Sequence, residues 1–544
     1  MKKIILSIST IFIIFTSCSD YLEEEVKHSS VPDELYLTDE GFEGLLIATY
    51  SELRKIYGDD PYLFASGTDL YADGKEAGPP GLTRYTSLSP TSEGVGELYD
   101  DCFRAIRVAN TALHYGELIA QQGSAVNTRE GEVRYLRASY YFLLVQTYGG
   151  VPLITDPIDT PIFEYDRESA ENIYEFIVSE LELALTLVDE GTYDGHVTKR
   201  AVHHLLAKVH LTRGYESFAA SDDFSEAASY ADAAIAGQTL NLSFEELWAP
   251  GNEMNEEIIF SVQYSPESIV ANPNELGNSQ RRHFGPYMGG GENADKHPNR
   301  VDELGITRRT LELFTEDDER YSASFMEKVY TRYYDYYDVP VEDHSSLPVI
   351  HYYVPRWGGN TPADSLAFFA ANPGAPLDGF HSYGTYFAEG LAGADFGTIP
   401  LKKFDSPTDP YGQSNSSRDI ILSRLGETYL IAAEAYLQAG QPGTGLLRLN
   451  EVRRRAGVAD ALISEFDIDY ILEERGRELL GEYHRWFDLK RTGKLVEYAS
   501  AYNYQVDESN FQGNNGELKI LRPIPQTAID LNQNKDFPQN PAYE

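Results

Sequence analysis

Apolar residues recur at helical spacing on both sides of a long segment that lacks any such period. The first stripe follows Thr38, a residue type that commonly begins helices, and its members are Phe42, Leu45, Leu46, Leu53, Ile56 and Tyr57. Further helices are expected at about 133–148, 169–189, 198–214 and 224–236. Helix pairs of this size are typical of tetratricopeptide units, although no fixed repeat period is present. The sequence therefore predicts a mainly α fold on a tetratricopeptide-like helical hairpin scaffold.

The middle of the chain, residues 241–415, has a different composition. It is rich in Gly, Pro, Asn and Tyr, as in the stretch YTRYYDYYDVP, and long irregular loops inside a compact domain usually carry function. Helical patterns return in LSRLGETYLIAAEAYLQAG and QPGTGLLRLNEVRRRAGV, which predict a helical hairpin. We therefore expect a single domain over 38–544: helical repeats at 38–240, a long loop-rich, irregular ligand-binding region at 241–415, and the hairpin within 416–544.

The chain opens with two lysines, an uncharged apolar run and small residues before Cys18. This order is typical of a secretory signal, and the run is shorter than the roughly 20 apolar residues of a membrane span. We interpret residues 1–17 as a lipoprotein signal peptide and Cys18 as the lipidated residue. The alternative is a secreted protein with an incidental cysteine. The acidic segment 18–37 is then a flexible tether, and Cys102, in a helical pattern, is expected to be buried.

The C-terminal helical segment is dense in charges of both signs. The stretch LEERGRELLGEYHRWFDLKR places four of them at helical neighbour spacings, namely Glu474, Arg477, Glu478 and Glu482. Arg485 and Asp488 are likewise three residues apart. We interpret these groups as structural ion pairs between helical neighbours rather than as a catalytic carboxylate cluster.

Several segments, found in a fixed order along the chain, carry a resemblance to a known family. They are CSDYL, RYLRASYYFLLVQTYGGVPLITDP, ILSRLGETYLIAAEAYLQAG, ILEERGRELLGEYHRWFDLKRTGKL and LRPIPQTAIDLNQNKDFPQNPAY. With them the chain resembles the SusD/RagB family of outer-membrane nutrient-binding lipoproteins of Bacteroidetes. The resemblance implies a lipid-anchored protein exposed at the cell surface, which captures a nutrient, often an oligosaccharide or polysaccharide. It further implies delivery to a SusC-like TonB-dependent transporter, without catalysis.

Tyrosine is the most unusual residue of the chain, with 39 copies against 25 Phe and 3 Trp. Its flat apolar face and hydroxyl suit sugars, which offer apolar ring faces rimmed by hydroxyl groups. The binding loops are not part of the shared motifs, so we choose candidates by composition and by where sites of the family tend to lie. The loop after the first helix supplies Asp69, Tyr71, Asp73, Arg84 and Tyr85. The middle region supplies Tyr336, Tyr337, Tyr353, Trp357 and Asn360.

The net charge and the absence of catalytic motifs from the sequence argue against other classes of function. A formal net charge of −42 repels nucleic acid and argues mildly against a polyanionic ligand. The sequence has no nucleophile elbow, P-loop, zinc-protease motif or cysteine cluster, so we expect no enzyme and no cofactor. A structural calcium ion among the acidic loops stays open, without an EF-hand pattern. The alternatives to glycan uptake are peptide uptake on the same scaffold, a surface glycoside hydrolase and a structural adhesin.

Overall fold

The structure is a computed structural model, and it describes residues 35–544 except 60, 76, 159, 268–276, 302 and 391–393. The signal peptide, Cys18 and most of the predicted tether therefore lie outside the described residues, and those expectations stay predictions. Within the described part, no helix is both long and apolar enough to cross a membrane.

Twelve helices of seven or more residues account for most of the regular structure described. They are α1 Asp39–Tyr57, α2 Val95–Gln121, α3 Asn127–Tyr148, α4 Ala170–Leu187, α5 Lys199–Arg213, α6 Asp223–Ile235, α7 Pro362–Ala371, α8 Leu425–Gln438, α9 Pro442–Arg455, α10 Ile468–Glu478, α11 Arg485–Arg491 and α12 Leu495–Tyr502. Shorter helices lie at Tyr62–Ala65, Pro80–Arg84, Phe244–Leu247, Gln280–His283, Arg308–Glu312, Glu319–Ser324, Asp335–Asp338 and Gln526–Leu531. The mainly α fold predicted from the sequence is confirmed.

The helices pack as successive pairs. α1 packs on α2, α3 on α4, α5 on α6 and α8 on α9, and α8 also packs on α6 across the long sequence gap between them. Local chemistry fixes their ends: the Thr38 side chain accepts a hydrogen bond of 3.0 Å from the amide of Gly41, which starts α1. α3 ends at Gly149, whose φ of +76° is readily adopted only by a residue without a side chain.

Seven short strands of the described part form three small sheets, and all but the first and the last strand lie in the middle region. The strands are β1 Tyr71–Asp73, β2 Ile258–Val262, β3 Leu304–Ile306, β4 Lys328–Tyr330, β5 Val349–Tyr353, β6 Phe380–His381 and β7 Ile420–Arg424. β1 pairs with β3, β2 with β7 and β4 with β5, all antiparallel. β5 and β6 pair in parallel, with Tyr352 opposite Phe380 and Tyr353 opposite His381. The segments that follow these two strands therefore leave the sheet at the same edge.

The charged C-terminal segment forms a buried network that reaches into the middle region. Glu474 and Arg477 pair at 2.8 Å as predicted, but Glu474 also accepts a bond of 2.7 Å from Arg320. Arg424 bonds Glu478 at 2.6 Å and Glu482 at 2.7 Å. All six of these side chains are buried, so the network connects elements distant in sequence.

One predicted pair is wrong. Arg485 is bonded to Asp69 at 2.6 Å, and Asp488 is bonded instead to Arg475 at 2.7 Å and Arg491 at 3.0 Å. The spacing of three placed Arg485 and Asp488 near each other on α11, but both are buried and each faces a different packing partner. Cys102, by contrast, is fully buried as expected.

Candidate functional site

The candidates from the loop after the first helix are mostly interior residues. Asp69 is fully buried and makes two hydrogen bonds with the Arg485 guanidinium, at 2.8 and 2.6 Å. This contact joins the loop to α11 and leaves Asp69 no exposed surface. Burial with a paired partner is how folded proteins accommodate a carboxylate in the core. We therefore do not place Asp69 in the site.

Tyr71 and Tyr85 are also buried, at 2% and 0% exposure. Tyr71 lies in β1 and packs on Phe284 with ring centroids 5.1 Å apart. The Tyr85 hydroxyl donates to the Gly67 carbonyl at 2.9 Å and accepts from the Trp486 indole at 3.2 Å. Their hydroxyls and rings therefore serve the core, a role that composition alone cannot separate from ligand binding.

Asp73 and Arg84 form an ion pair at the edge of this loop. The Arg84 Nε donates to Asp73 Oδ2 at 2.9 Å, and the Asp73 amide donates to the Gln505 side chain at 2.8 Å. Asp73 is 3% exposed, whereas 38% of the Arg84 side chain is exposed. Arg84 is therefore the one candidate of the first set that reaches solvent.

Tyr353 lies beneath the surface of the middle region. Its ring stacks on His381 at 4.2 Å and its hydroxyl donates to the Phe396 carbonyl at 2.6 Å. The neighbouring His351 stacks on Phe396 at 4.1 Å and lies 3.0 Å from His381, nitrogen to nitrogen. Burial lowers the pKa of His351 to about 3 and that of His381 to about 4, so both rings are neutral at physiological pH. Tyr353 is therefore an interior residue of the middle region and has no surface exposed to a ligand.

Two loops of the middle region carry Trp357, Asn360 and Tyr383, which we call the Trp357 platform. Trp357 and Asn360 follow β5 and Tyr383 follows β6, and because these strands are parallel neighbours, both segments emerge at one edge. The Tyr383 amide donates to Asn360 Oδ1 at 3.0 Å, and Asn360 Nδ2 lies 3.4 Å from the Tyr383 carbonyl. The Asn360 side chain thus ties the two loops to each other.

Trp357 is the only tryptophan that is not buried; all three lie within the described part, and Trp248 and Trp486 are 6% and 0% exposed. One side of its indole packs edge-on against Tyr321, with ring centroids 4.8 Å apart. Its remaining surface and that of Tyr383 are partly open to solvent. A rigid aromatic surface of this kind can stack on the apolar face of a sugar ring.

Tyr336 and Tyr337 line a second feature, a groove of about 410 Å³ that we call the Tyr336 groove. Other lining residues are Glu245, Trp248, Lys402 and Lys403. The Tyr337 hydroxyl donates to the buried Asp405 at 2.9 Å, which fixes its ring, whereas the Tyr336 hydroxyl bonds Lys402 and Glu245 at the groove wall. The volume falls within the roughly 300–1,000 Å³ of small-molecule sites.

Sequence reasoning missed Tyr383, Trp248 and Lys402. Tyr383 lies in HSYGTYF, a stretch as tyrosine-rich as those chosen, but only the β5–β6 pairing places it beside Asn360. Trp248 and Lys402 are far from Tyr336 in sequence, so no local pattern could connect them. Within the described part, no group of three or more His, Cys, Asp or Glu side chains could hold a metal ion. The expectation of a calcium ion gains no support there and stays untested.

The fold and these surfaces define a class of protein: a helical-repeat scaffold that carries a loop-built, aromatic binding surface without a catalytic arrangement we can identify among the described residues. Comparison with known sequences places it further. The profile of the SusD family matches residues 256–543, and a profile described as "Starch-binding associating with outer membrane" matches residues 83–211. Because the first match spans more than half of the chain, the protein belongs to the SusD family, as the resemblance predicted.

Similar proteins cover almost the whole chain. A SusD-like protein of Bacteroides ovatus is 25% identical over 511 residues, covering 90% of this chain and 82% of the relative. A solved laminarin-binding SusD-like protein superposes with a TM-score of 0.68 at 23% identity, covering 93% of this chain and 100% of its own. Surface glycan-binding protein A of Bacteroides thetaiotaomicron, solved with laminarihexaose, gives 0.67 at 21% identity, covering 92% and 99%. At these identities the solved structures show a shared fold.

Proposed function

We propose that this protein binds glycans at the cell surface through the Trp357 platform and delivers them to a SusC-like TonB-dependent transporter of the outer membrane, to which Cys18 anchors it by a lipid. The main support for this site is the hydrogen bond between the Tyr383 amide and Asn360, which lies three residues after Trp357. The structure describes all three tryptophans, and only Trp357 is not buried. Membership of the SusD family and the glycan-binding relatives support the ligand class.

The energetics favour several cooperating contacts. Stacking one sugar ring removes about 50 Å² of apolar surface and contributes about 1 kcal/mol. Micromolar affinity requires about 8 kcal/mol beyond the cost of association, so two aromatic rings alone do not suffice. The side chains of Arg356 and Asn360 are exposed at the same edge and can donate hydrogen bonds to sugar hydroxyls.

The decisive experiment measures binding and stability on the same variant. A glycan array identifies a ligand, and Trp357→Ala should then weaken binding by about 1–3 kcal/mol in calorimetric titration. Stability should fall by less than the about 3–5 kcal/mol that removal of a fully buried Trp costs, because the Trp357 ring is partly exposed. Leu366→Ala is the matched control, since Leu366 lies nearby in sequence and is 73% exposed; it should change neither quantity.

Other results would redirect the assignment. Unchanged affinity with a loss of about 3–5 kcal/mol of stability would make Trp357 a core residue. Binding of peptides in place of glycans would retain the uptake role and change the ligand. Release of reducing ends from a bound glycan, abolished by replacing one carboxylate, would favour a hydrolase.

A further inference from the structure

Two consecutive lysines on the wall of the Tyr336 groove have very different surroundings. Lys403 is buried within the ion network, where its ammonium donates to Glu482 at 2.6 Å and to the Leu480 carbonyl at 3.0 Å. Lys402 is nearly as buried, with 6% of its side chain exposed. Its ammonium bonds the Tyr336 hydroxyl and lies 4.0 Å from the centre of that ring. The ammonium of Lys403 therefore has a close carboxylate partner within the fold, whereas that of Lys402 does not.

The carboxylate nearest to Lys402 is badly placed for a strong ion pair. Glu245 lies 3.8 Å from the Lys402 ammonium, beyond ordinary hydrogen-bond distance, and 68% of its side chain is exposed. Burial lowers the pKa of both lysines to about 8, so it is the contacts, not the pKa, that distinguish Lys402 from Lys403. A buried charge without a close partner is costly, and a ligand carboxylate in the groove would supply one.

The other walls of the groove suit a sugar ring. Tyr336 and Trp248 line the groove with aromatic rings. An aromatic groove with an under-neutralised ammonium fits a ligand that has both an apolar ring face and a negative group. A sugar that carries a carboxylate has both.

We propose that the Tyr336 groove is a second binding site, distinct in its residues from the Trp357 platform, which takes a uronic acid unit with its carboxylate on Lys402. The inference rests on the proposed glycan-binding function for the choice of a sugar. The net charge of the whole chain opposes long anionic polymers, but that field is screened beyond about 8–10 Å in physiological salt. The contact at Lys402 therefore decides whether a single carboxylate is accepted.

The test uses trigalacturonate, oligoglucuronate and oligomannuronate as probes, with methyl-esterified trigalacturonate as the uncharged match. At least one uronate should bind, and methyl esterification should weaken trigalacturonate binding if that is the probe bound. Lys402→Met should weaken uronate binding by about 10- to 100-fold, the effect of losing a charged hydrogen bond. Glu245→Gln should strengthen it by about two- to fivefold, because a competing surface carboxylate is removed. Trp357→Ala should leave the preference for the charged sugar over a neutral one intact.

Each outcome decides the matter. Uronate binding that is insensitive to both Lys402→Met and Glu245→Gln overturns the groove assignment. If Lys402→Met does not fold, Glu245→Gln alone decides, since 68% of the Glu245 side chain is exposed and Gln can still accept the hydrogen bond from the Tyr336 hydroxyl. Binding of neutral glycans with no uronate binding leaves the proposed function standing and overturns this inference. Binding of no glycan at all overturns both, and a sulfated sugar that binds where uronates do not overturns the carboxylate.

Discussion

Replacing Asp69 should test whether this loop residue serves the fold or a ligand. Asp69→Ala removes the two hydrogen bonds that Asp69 makes with Arg485 and leaves that guanidinium buried, with 6% of its side chain exposed. One bond from Arg485 remains, to the Leu472 carbonyl at 2.5 Å, but a carbonyl does not neutralise the charge. Breaking a buried pair in this way costs about 3–5 kcal/mol of unfolding free energy.

The assay is chemical denaturation of Asp69→Ala, Arg485→Met and the double variant. The double variant should be less destabilised than the sum of the two single changes, because it leaves no unpaired charge in the core. Glu190→Ala is the control: its partner Lys199 lies 3.2 Å away in an exposed pair, and the loss should stay below about 1 kcal/mol. A loss of less than about 1 kcal/mol for Asp69→Ala, combined with weaker glycan binding, would refute the folding role and return Asp69 to the site.

Three further results are expected. Cys18→Ser should leave the protein unable to sediment with outer membranes, and membrane retention equal to that of the unsubstituted protein would contradict lipidation. The unfolding free energy should fall as pH drops from about 6.5 toward 4, because the unfolded chain binds protons on histidines that burial keeps neutral, such as His351 and His381; urea unfolding at stepped pH measures this, and His351→Phe should flatten the curve. A purified glycan complex should release no reducing ends, and sustained release would show catalysis.

The helical scaffold could be predicted because its information is local. The stripe after Thr38 and the helix end expected at about residue 148 each depend on residues within a few turns, and the structure confirms both. The ion pair of Glu474 and Arg477 was likewise predictable, since both lie on one helix face. Helix positions and contacts within one helix could therefore be predicted from residue spacing.

The candidate site was only partly accessible, because burial is decided by distant contacts. Tyr85 and Trp357 both lie in loop-like sequence, yet Tyr85 is buried against Trp486 and Trp357 is not. Asp69 was chosen for its carboxylate, but its partner Arg485 is more than 400 residues away in sequence. Composition indicates which side chains can bind a sugar, whereas only the packing determines which of them can reach one.

The buried ion network also marks where this molecule could be cut and rejoined. Arg320 and Lys403 bond two points of the middle region to Glu474 and Glu482 of the C-terminal segment. The whole Trp357 platform lies between these two points in sequence, within residues 325–401. An exchange of that stretch between relatives would transplant the Trp357 platform together with Tyr336 and Tyr337 of the groove, and would leave the buried pairs of Arg320 and Lys403 in place. The residues that recognise a ligand could therefore change between relatives while these buried ion pairs stay the same.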